Sequence, residues 1–386
     1  MEDWTGVCGA AVFVLTVGWT LRRVGARVGA LVTVLVGALV GGVGACWDFT
    51  ECRHYCSAVL FGCSFTMICV TPRRETLLQV EDKAVLVTGC DSGFGHALAA
   101  LLSDDGVKVF AGVLDVNGGG ARRLRERRSE NLQVLQLDVT DGSQVEAAHL
   151  HIRSQVADTG LWGLVNNAGV LPCPVDAELL PLSACRRCVD VNFLAAVHMC
   201  QVFLPLLRRS RGRVVNMSSM GGDVPMPMFG AYGASKAALS VFSRVMRLEL
   251  AEWGVDVALI QPSGFRTNIF GNKEDVARHR DELLAAVSSE AREDYGEAYI
   301  SSLPGSLSKM SQQSAEDLSP VVEDMRHALL SARPRPLYTP GAMGWLLPFL
   351  HRCCPTVVFD AVIKRLVKYT DCRPAGLTRR CPPTTD

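Results

Sequence analysis

Three side chains that can hold a substrate oxygen or move its proton lie close together in the sequence: Ser219, Tyr232 and Lys236. The apolar pattern from Tyr232 to Trp253 predicts a helix, and a spacing of four residues puts the phenol and the ammonium on one face. A phenol has a pKa of about 10 in water, and a neighbouring ammonium favours its ionised form. We therefore expect a base with a lowered tyrosine pKa. A chance Tyr-x-x-x-Lys pair on a surface helix is the alternative.

Ser219 follows a short apolar segment, Arg213 to Met217, that predicts a buried strand. Open α/β sheets bind their ligands at the carboxyl ends of the strands, which is where this serine would lie. A hydroxyl there can donate a hydrogen bond to a carbonyl or alkoxide oxygen. The serine is therefore predicted to hold the substrate oxygen whose proton Tyr232 transfers.

The composition limits the classes of function. The chain has 386 residues, enough for one α/β domain of about 250 residues with additional segments. Lys plus Arg and Asp plus Glu number 39 each, so no net charge points to nucleic acid as a partner. Cys185 and Cys188 form a Cys-x-x-Cys pair without a second pair of ligands, so we predict no metal site.

Three apolar runs, residues 7–21, 28–47 and 55–70, predict a membrane anchor over residues 1–72, with membrane lipid as a partner. The middle run has twenty residues without a charge, enough for a helix of about 30 Å, which matches a bilayer's hydrocarbon core. A cleaved signal peptide is the alternative for the first run, and a buried core helix for the second. Arginines beside the runs favour a cytosolic location for the rest of the chain, and with a single span the opposite orientation is the alternative.

A predicted strand, a glycine-rich turn and a predicted helix open the remaining sequence. Lys83 to Thr88 has the apolar character of a buried parallel strand. Gly89, Gly93 and Gly95 follow with the spacing G-x-x-x-G-x-G, and Ala97 to Leu102 predicts a helix. Glycines let the backbone approach a pyrophosphate that the helix N-terminus faces, so this turn predicts a dinucleotide site.

Asp115 bears on which nicotinamide dinucleotide the site would bind, NAD or NADP. It follows a second predicted strand, Val107 to Val113, and lies twenty residues beyond Gly95. An acidic side chain there accepts hydrogen bonds from the adenosine ribose and repels a 2′-phosphate, so we expect NAD as the cofactor. Arg122 and Arg123 are the contrary signal, although they also fit the solvated face of a helix.

Strands and helices continue to alternate along the chain. Leu132 to Leu137 and Leu161 to Val165 predict strands, and Gln144 to Val156 and Ala184 to Arg208 predict helices. This alternation predicts an α/β fold with a doubly wound parallel sheet.

Two polar residues accompany these apolar segments. Asp138, at the end of the third predicted strand, is a candidate contact for the adenine edge. Asn192 lies among apolar residues of the second helix. It is either a satisfied core amide or an amide that kinks the helix and holds water against Lys236.

The order and spacing of these residues resemble the short-chain dehydrogenase/reductase family. The shared motifs are Gly89-x-x-x-Gly93-x-Gly95, Asn166-Asn167-Ala168-Gly169, Asn192, Ser219, Tyr232 and Lys236. The resemblance implies a single Rossmann-type catalytic domain, residues 80–340. It implies that Tyr232 is the general base, that Lys236 lowers its pKa and binds the nicotinamide ribose, and that Ser219 orients the substrate. Asn192 would support a proton relay.

The resemblance also implies which residues contact the ligands. The substrate contacts would be Ser219, Tyr232 and Phe265. The cofactor contacts would be Gly89, Asp91, Ser92, Gly93, Phe94, Gly95, Asp115, Asp138, Asn166, Ala168, Gly169, Tyr232, Lys236, Pro262, Gly264 and Thr267.

Longer stretches, such as Cys90 to Gly95 and Tyr338 to Gly341, are similar to a membrane-bound, steroid-oxidising branch of the family. This similarity implies NAD-dependent oxidation of the 17β-hydroxyl of estradiol and testosterone in the endoplasmic reticulum membrane. An 11β-hydroxysteroid or retinol dehydrogenase is the enzymatic alternative. A membrane-tethered binding protein without catalysis is the alternative from another class, and loss of Tyr232 or Lys236 would have favoured it.

Ser263 departs from the family pattern, which usually has Pro-Gly after the sixth strand where this chain has Pro262-Ser263-Gly264. We expect the serine to shift the backbone beside the nicotinamide, with more effect on turnover than on binding.

The sequence after Thr267 supports fewer predictions. Phe265, Ile269 and Phe270 either wall a steroid pocket or belong to the core, and the polar region up to Ser319 fits a mobile lid. The C-terminal segment, residues 341–386, has apolar runs at 345–350 and 357–367 with interspersed cations. These runs fit an interfacial amphipathic helix, a homodimer contact or ordinary packing. The tail, residues 373–386, is predicted to be disordered.

Overall fold

The computed structural model describes residues 76–271, 273–367 and 372–379. The predicted membrane anchor, residues 1–72, therefore lies outside the described residues, as does the end of the tail, residues 380–386. Most of the predicted catalytic domain and C-terminal segment falls within the described part of the chain.

A parallel sheet of seven strands forms the centre of the described chain, in the order β3-β2-β1-β4-β5-β6-β7. The strands are β1 Ala84–Val87, β2 Lys108–Val113, β3 Leu132–Gln136, β4 Gly163–Asn166, β5 Arg213–Met217, β6 Asp256–Ile260 and β7 Leu337–Tyr338. β1 pairs with β2 on one side and with β4 on the other, so the winding reverses between them. This order confirms the predicted doubly wound sheet, and the reversal creates a ligand crevice at the carboxyl ends of β1 and β4.

The segments between β1 and β6 form helices α1 to α6. Their bounds are α1 Gly93–Asp104, α2 Gly119–Glu126, α3 Gly142–Gln155, α4 Leu182–Val189, α5 Ala195–Ser210 and α6 Gly230–Leu250. α3 begins where the Asp141 carboxylate accepts hydrogen bonds from the backbone of Ser143 and Gln144, which is the interaction of a helix N-cap. Each helical connection between consecutive strands returns the chain to the amino end of the sheet, as parallel pairing requires.

Five more helices separate β6 from β7. They are α7 Lys273–Ala286, α8 Ser289–Tyr295, α9 Glu297–Ser302, α10 Gly305–Gln313 and α11 Ser319–Leu330. α7, α8 and α9 bury Leu283, Ala291 and Ile300 against Val175 and Leu179 of the loop after β4. The region predicted as a polar lid is therefore a helical unit with a small apolar core of its own.

The main core consists of two apolar layers, one on each face of the sheet. One layer packs α1, α2 and α11 against strand residues such as Val85 and Val109. The other packs α3, α5 and α6 against strand residues such as Leu86, Phe110 and Leu164. The strands are continuously apolar because both faces of a doubly wound sheet are covered.

α4 and α5 are parts of one long helix, interrupted by a π-helical turn, Asp190–Leu194. The buried Asn192 lies inside this turn, as its predicted role in a kink requires. π-turns interrupt the regular α-helical hydrogen bonds and are frequent at functional sites. The combined segment, Leu182–Ser210, is the one described helix long and apolar enough to cross a membrane, but α5 packs on the sheet, as a core helix does.

Among the described residues, three short helices follow β7: α12 Leu346–Cys353, α13 Thr356–Leu366 and α14 Ala375–Arg379. The presence of α14 shows that the prediction of disorder was wrong for this part of the tail. Pro374 precedes α14 and has the fixed φ angle of a helix start. Ala375 and Gly376 are small enough to approach α8 closely, at Gly296 and Asp294 respectively.

Replacing Leu164 by Ala should lower the free energy of unfolding by about 2–5 kcal/mol, because this fully buried residue of the central strand β4 would leave a cavity. Urea denaturation of the detergent-solubilised protein measures the loss. The matched control is Leu248→Ala on α6, where the leucine is 67% exposed. The control should change stability by less than about 0.5 kcal/mol, and similar losses in both variants would contradict the assigned core.

Candidate active site

A cavity of about 1040 Å³ lies at the carboxyl ends of β1, β4, β5 and β6. Most of the predicted site residues line it: Gly89, Asp91, Ser92, Gly93, Phe94, Asp115, Asp138, Ala168, Gly169, Ser219, Tyr232, Lys236, Pro262, Gly264, Phe265 and Thr267. Three others, Gly95, Asn166 and Asn192, lie behind this wall. The fold thus brings together residues that are far apart in the sequence.

The glycine-rich turn between β1 and α1 has the backbone geometry that the sequence predicts. Gly89 and Gly93 have φ angles of +68° and +61°, a region that favours glycine. A Cβ at Gly95 would lie 2.5 Å from the Asn167 side-chain nitrogen and from the Gly89 carbonyl oxygen. Side chains at these positions would strain the backbone or fill the turn. With glycines the turn has room for the pyrophosphate of a dinucleotide at the N-terminus of α1.

Asn167 fixes the turn, a role that the sequence prediction did not assign. Its side-chain amide donates hydrogen bonds to the carbonyls of Thr88 and Gly89, at 2.8 and 3.2 Å. The Thr88 hydroxyl in turn accepts from the backbone N–H groups of Asn167 and Ala168, both at 3.0 Å. The position of Asn167 in the Asn-Asn-Ala-Gly motif, directly after a strand, was the signal available for this role.

Asn166, predicted to contact the cofactor, points into the sheet instead. Its side-chain amide donates to the Asn216 side chain on β5 at 2.8 Å, and Asn216 donates to Ser243 on α6 at 2.8 Å. Asn166 is buried and does not line the cavity. Side chains alternate between the faces of a strand, so Asn166 bonds within the protein, whereas Asn167, beyond the end of β4, reaches the turn.

Asp91 and Asp115 build the cavity wall beyond β2. The Asp91 carboxylate accepts hydrogen bonds from the backbone of Leu114 at 3.0 Å and of Asp115 at 3.3 Å. Asp91 therefore positions the segment that carries Asp115, whose own exposed carboxylate lines the cavity. Arg122 and Arg123 are exposed on α2 and do not line the cavity, in agreement with their interpretation as a solvated helix face.

Asp138 lines the same end of the cavity, beyond β3. Its carboxylate accepts hydrogen bonds from the Thr140 backbone at 2.9 Å and from the Thr140 hydroxyl at 2.7 Å. These bonds fix the loop after β3 next to Asp115.

Ser219, Tyr232 and Lys236 come together where β5 ends and α6 begins. The Tyr232 phenol and the Ser219 hydroxyl are hydrogen-bonded to each other. The Lys236 ammonium donates to the Met217 carbonyl at 2.8 Å and lies 5.9 Å from the centre of the Tyr232 ring. The predicted helix and strand are confirmed as α6 and β5, and they give one centre with a hydroxyl, a phenol and an amine.

Burial has the largest effect on the pKa values of Tyr232 and Lys236. It raises the pKa of Tyr232 to about 12, although the hydrogen bond from Ser219 acts to lower it. Burial also lowers the pKa of Lys236 to about 8. The expected lowering of the tyrosine pKa is therefore not found in this structure, because removal of both groups from water favours their uncharged forms.

Asn192 has hydrogen-bond partners in the loop after β4 and on α6. Its side-chain oxygen accepts from the Val170 backbone at 2.8 Å, and its nitrogen donates to the Val170 carbonyl at 2.9 Å and to Ser235 at 3.1 Å. A Cβ built on Gly169 would lie 3.2 Å from the Asn192 oxygen and 3.4 Å from the Lys236 nitrogen. Asn192 is thus a satisfied amide, and it also lies just behind the loop that faces Lys236.

Ser263 fits its position without backbone strain, since its φ angle is not positive. Its N–H donates to the Pro340 carbonyl at 3.1 Å. Gly341 provides the necessary space, because a Cβ there would lie 2.2 Å from the Ser263 hydroxyl oxygen and 2.7 Å from the Phe265 ring. The glycine that the family usually has beside the nicotinamide is absent, but a glycine on the neighbouring segment accommodates the serine.

The other half of the cavity is apolar. Phe265 and Phe270 are buried and also line the cavity, so the two alternatives, pocket wall and core, both apply. Further apolar lining residues that the sequence prediction did not identify are Met220, Met226, Phe229 and Met310. Methionine side chains adapt to irregular apolar shapes, so this half suits a bulky hydrophobic ligand. The first three lie between Ser219 and Tyr232, and this position was the signal for them.

A doubly wound sheet with a glycine turn and a Ser-Tyr-Lys centre at its crevice is the arrangement of an α/β oxidoreductase. A family profile described as short chain dehydrogenase matches residues 83–277. The chain therefore belongs to the short-chain dehydrogenase family, and the resemblance found in the sequence is confirmed.

Individual relatives agree with this assignment. The chain is 46% identical to estradiol 17-beta-dehydrogenase 2 of Mus musculus over 301 residues, which cover 78% of this chain and 79% of that protein. It is 44% identical to 11-beta-hydroxysteroid dehydrogenase type 2 of Ovis aries over 282 residues, covering 73% and 66%. A crystal structure of a short-chain dehydrogenase from Streptomyces avermitilis matches with a TM-score of 0.55 and 24% identity, covering 74% and 95%, and shares the fold.

Replacing Lys236 by Met should stabilise the protein at pH 7 by on the order of 3 kcal/mol, because a buried amine with a pKa of about 8 is costly to protonate. The unfolded chain keeps this lysine protonated up to its ordinary pKa of 10.5. Between pH 8 and 10.5 the unfolded state binds the extra proton, so the stability contributed by this group rises with pH in the parent.

Urea denaturation at several pH values tests this linkage. Lys236→Met should lose that rise, whereas the control, Lys364→Met at an exposed position on α13, should follow the parent. Parallel curves for the parent and Lys236→Met would contradict a perturbed lysine.

Proposed function

We propose that the protein is an NAD-dependent 17β-hydroxysteroid dehydrogenase that oxidises estradiol to estrone and testosterone to androstenedione. The single observation that carries the proposal is the Ser219–Tyr232–Lys236 centre, placed between a glycine cradle and an apolar wall in one cavity. The identity to estradiol 17-beta-dehydrogenase 2 supports the choice of substrate. The proposed oxidation would inactivate both hormones.

The cavity wall fits a nicotinamide dinucleotide. Gly89, Gly93 and Gly95 leave the space that a pyrophosphate needs, and the Asp115 carboxylate is available to the adenosine ribose. When bound, this cofactor supplies the position that accepts the hydride from the carbinol carbon. An exposed carboxylate at position 115 disfavours a 2′-phosphate, which supports NAD rather than NADP.

The residues of this chain would handle the oxygen and its proton. Ser219 donates a hydrogen bond that holds the substrate hydroxyl beside Tyr232, and the phenolate of Tyr232 takes the proton as the hydride leaves. Since the pKa of Tyr232 is raised to about 12, alkaline conditions favour this base, and neutral conditions favour the phenol as a proton donor in the reverse direction. Lys236 can stabilise the phenolate, and Asn192 holds the backbone beside both.

A second candidate is oxidation of an 11β-hydroxysteroid, supported by the 44% identity to the sheep enzyme. Retinol oxidation remains a further alternative, because an apolar wall accepts other bulky alcohols. A binding protein without catalysis is disfavoured, since Ser219, Tyr232 and Lys236 are all present and adjacent.

We also propose that residues 1–72 anchor the enzyme in the endoplasmic reticulum membrane, with the catalytic domain, residues 80–340, in the cytosol. The charge-free run 28–47 and the flanking arginines support this arrangement. An enzyme anchored in the membrane would encounter steroids in the lipid in which they dissolve.

Membranes containing the full chain should oxidise estradiol and testosterone with NAD, and about ten-fold or more slowly with NADP at equal concentration, because Asp115 repels the 2′-phosphate. Steady-state rates are compared for both steroids, an 11β-hydroxysteroid and retinol. If only retinol or the 11β-hydroxysteroid is oxidised, the proposed substrate is wrong and the proposed type of reaction stands. NAD binding without any turnover would favour the binding protein.

Replacing Tyr232 by Phe should reduce turnover by about 100-fold or more, because the variant lacks the group that moves the proton, while cofactor affinity stays within about two-fold. Rates and dinucleotide binding are measured on the same preparation. Tyr295→Phe is the matched control, because that phenol donates to Glu178 at 3.1 Å and Tyr295 does not line the cavity, so its loss should leave turnover unchanged. Normal activity of the Tyr232 variant would refute the assigned base.

A further inference from the structure

Asp223 connects the catalytic segment to the C-terminal helices. It follows the 3-10 turn Met220–Gly222, just beyond Ser219, and its side chain is only 11% exposed. One carboxylate oxygen accepts from Arg244 on α6 at 3.3 Å, and the other accepts from Arg352 on α12 at 2.6 Å. A single carboxylate therefore holds guanidinium groups from two helices that are distant in the sequence.

An apolar contact accompanies this ion pair. Val224 is buried together with Phe359 and Ile363 of α13, and the partly buried Met220 and Met226 pack on the same cluster. Both methionines also line the cavity. The helices α12 and α13 thus support, from behind, the side chains that form the apolar wall beside Ser219 and Tyr232.

The cofactor cradle has no such support from these helices. No residue of α12 or α13 lines the cavity within the part of the chain that the structure describes. The glycine turn is held instead by Asn167 and Thr88. A substitution that loosens α12 and α13 should therefore displace Met220 and Met226 and leave the dinucleotide end of the cavity unchanged.

We propose that α12 and α13 form an outer wall of the substrate pocket, locked in place by Asp223 and Arg352, and that this wall sets the fit of the apolar substrate through Met220 and Met226. The inference rests on the proposed function and specifies which residues would control its substrate selectivity. The match to the family profile ends at residue 277, before α12 begins. Met220, Met226 and Arg352 are positioning and specificity residues in this arrangement.

The test compares Arg352→Gln with Arg365→Gln in the full chain. Arg365 is exposed on α13 and makes no side-chain ion pair among the described residues, so it controls for loss of a cation from the same helix pair. Arg352→Gln should raise the KM for the steroid by about 3- to 10-fold and leave the KM for NAD unchanged. Arg352→Lys should recover most of the loss, because it keeps a cation near Asp223. Equal effects on both KM values, or none on either, would refute the proposal.

A double-mutant cycle isolates the pair. If Asp223 and Arg352 act together, Asp223→Asn combined with Arg352→Gln should raise the steroid KM no more than the more damaging single change. Additive effects would show that the two residues act separately and would overturn the lock.

Hydrogen exchange separates failure of this inference from failure of the proposed function. Backbone amides of residues 220–226 should exchange faster in Arg352→Gln than in the parent and in Arg365→Gln, whatever the enzyme oxidises. Unchanged exchange would refute the lock even if steroids are turned over. If residues 220–226 exchange faster but the protein oxidises another alcohol, the lock is supported and the steroid substrate is wrong. The KM comparison would then be made with that alcohol.

Discussion

The buried hydrogen bonds that fasten α6 to the ends of the central strands hold the whole site in register. The Ser218 hydroxyl donates to the Lys236 carbonyl at 3.0 Å, and the Asn216 amide of β5 donates to Ser243 at 2.8 Å. Gln261, after β6, donates to Ser240 at 3.2 Å. Serines take positions on the buried face of α6 that apolar residues could fill. Their directional bonds fix the rotation of the helix, and thereby the positions of Tyr232 and Lys236.

The same close packing has an electrostatic cost. Tyr232 and Lys236 are removed from water, so burial disfavours the charged forms that the proposed proton transfer uses. The lysine keeps a partner in the Met217 carbonyl, and the tyrosine keeps one in Ser219. Perturbed groups of this kind, placed together in a crevice, are typical of catalytic sites. The site thus gives up some stability for a pair of groups that titrate outside their ordinary range.

The two halves of the cavity are built on different principles. The dinucleotide half consists largely of backbone and small residues, held by Asn167 and Asp91 in hydrogen bonds of 2.8 and 3.0 Å. The apolar half consists of long side chains, such as Met226, supported by the C-terminal helices α12 and α13. A rigid half can keep one cofactor in place, while an adaptable half can change its ligand through changes in the supporting helices.

The sequence by itself determined the alternation of strands and helices, the doubly wound class of the sheet and most of the candidate active site, because strand, turn and helix signals are local and the glycine, serine, tyrosine and lysine positions follow them directly. It did not distinguish Asn166 from Asn167, since neighbouring residues at a strand end point to different sides. It also misjudged the tyrosine pKa and the tail helix α14. Only the tertiary structure decided these points, because burial, side-chain direction and contact between distant helices depend on how the whole chain packs.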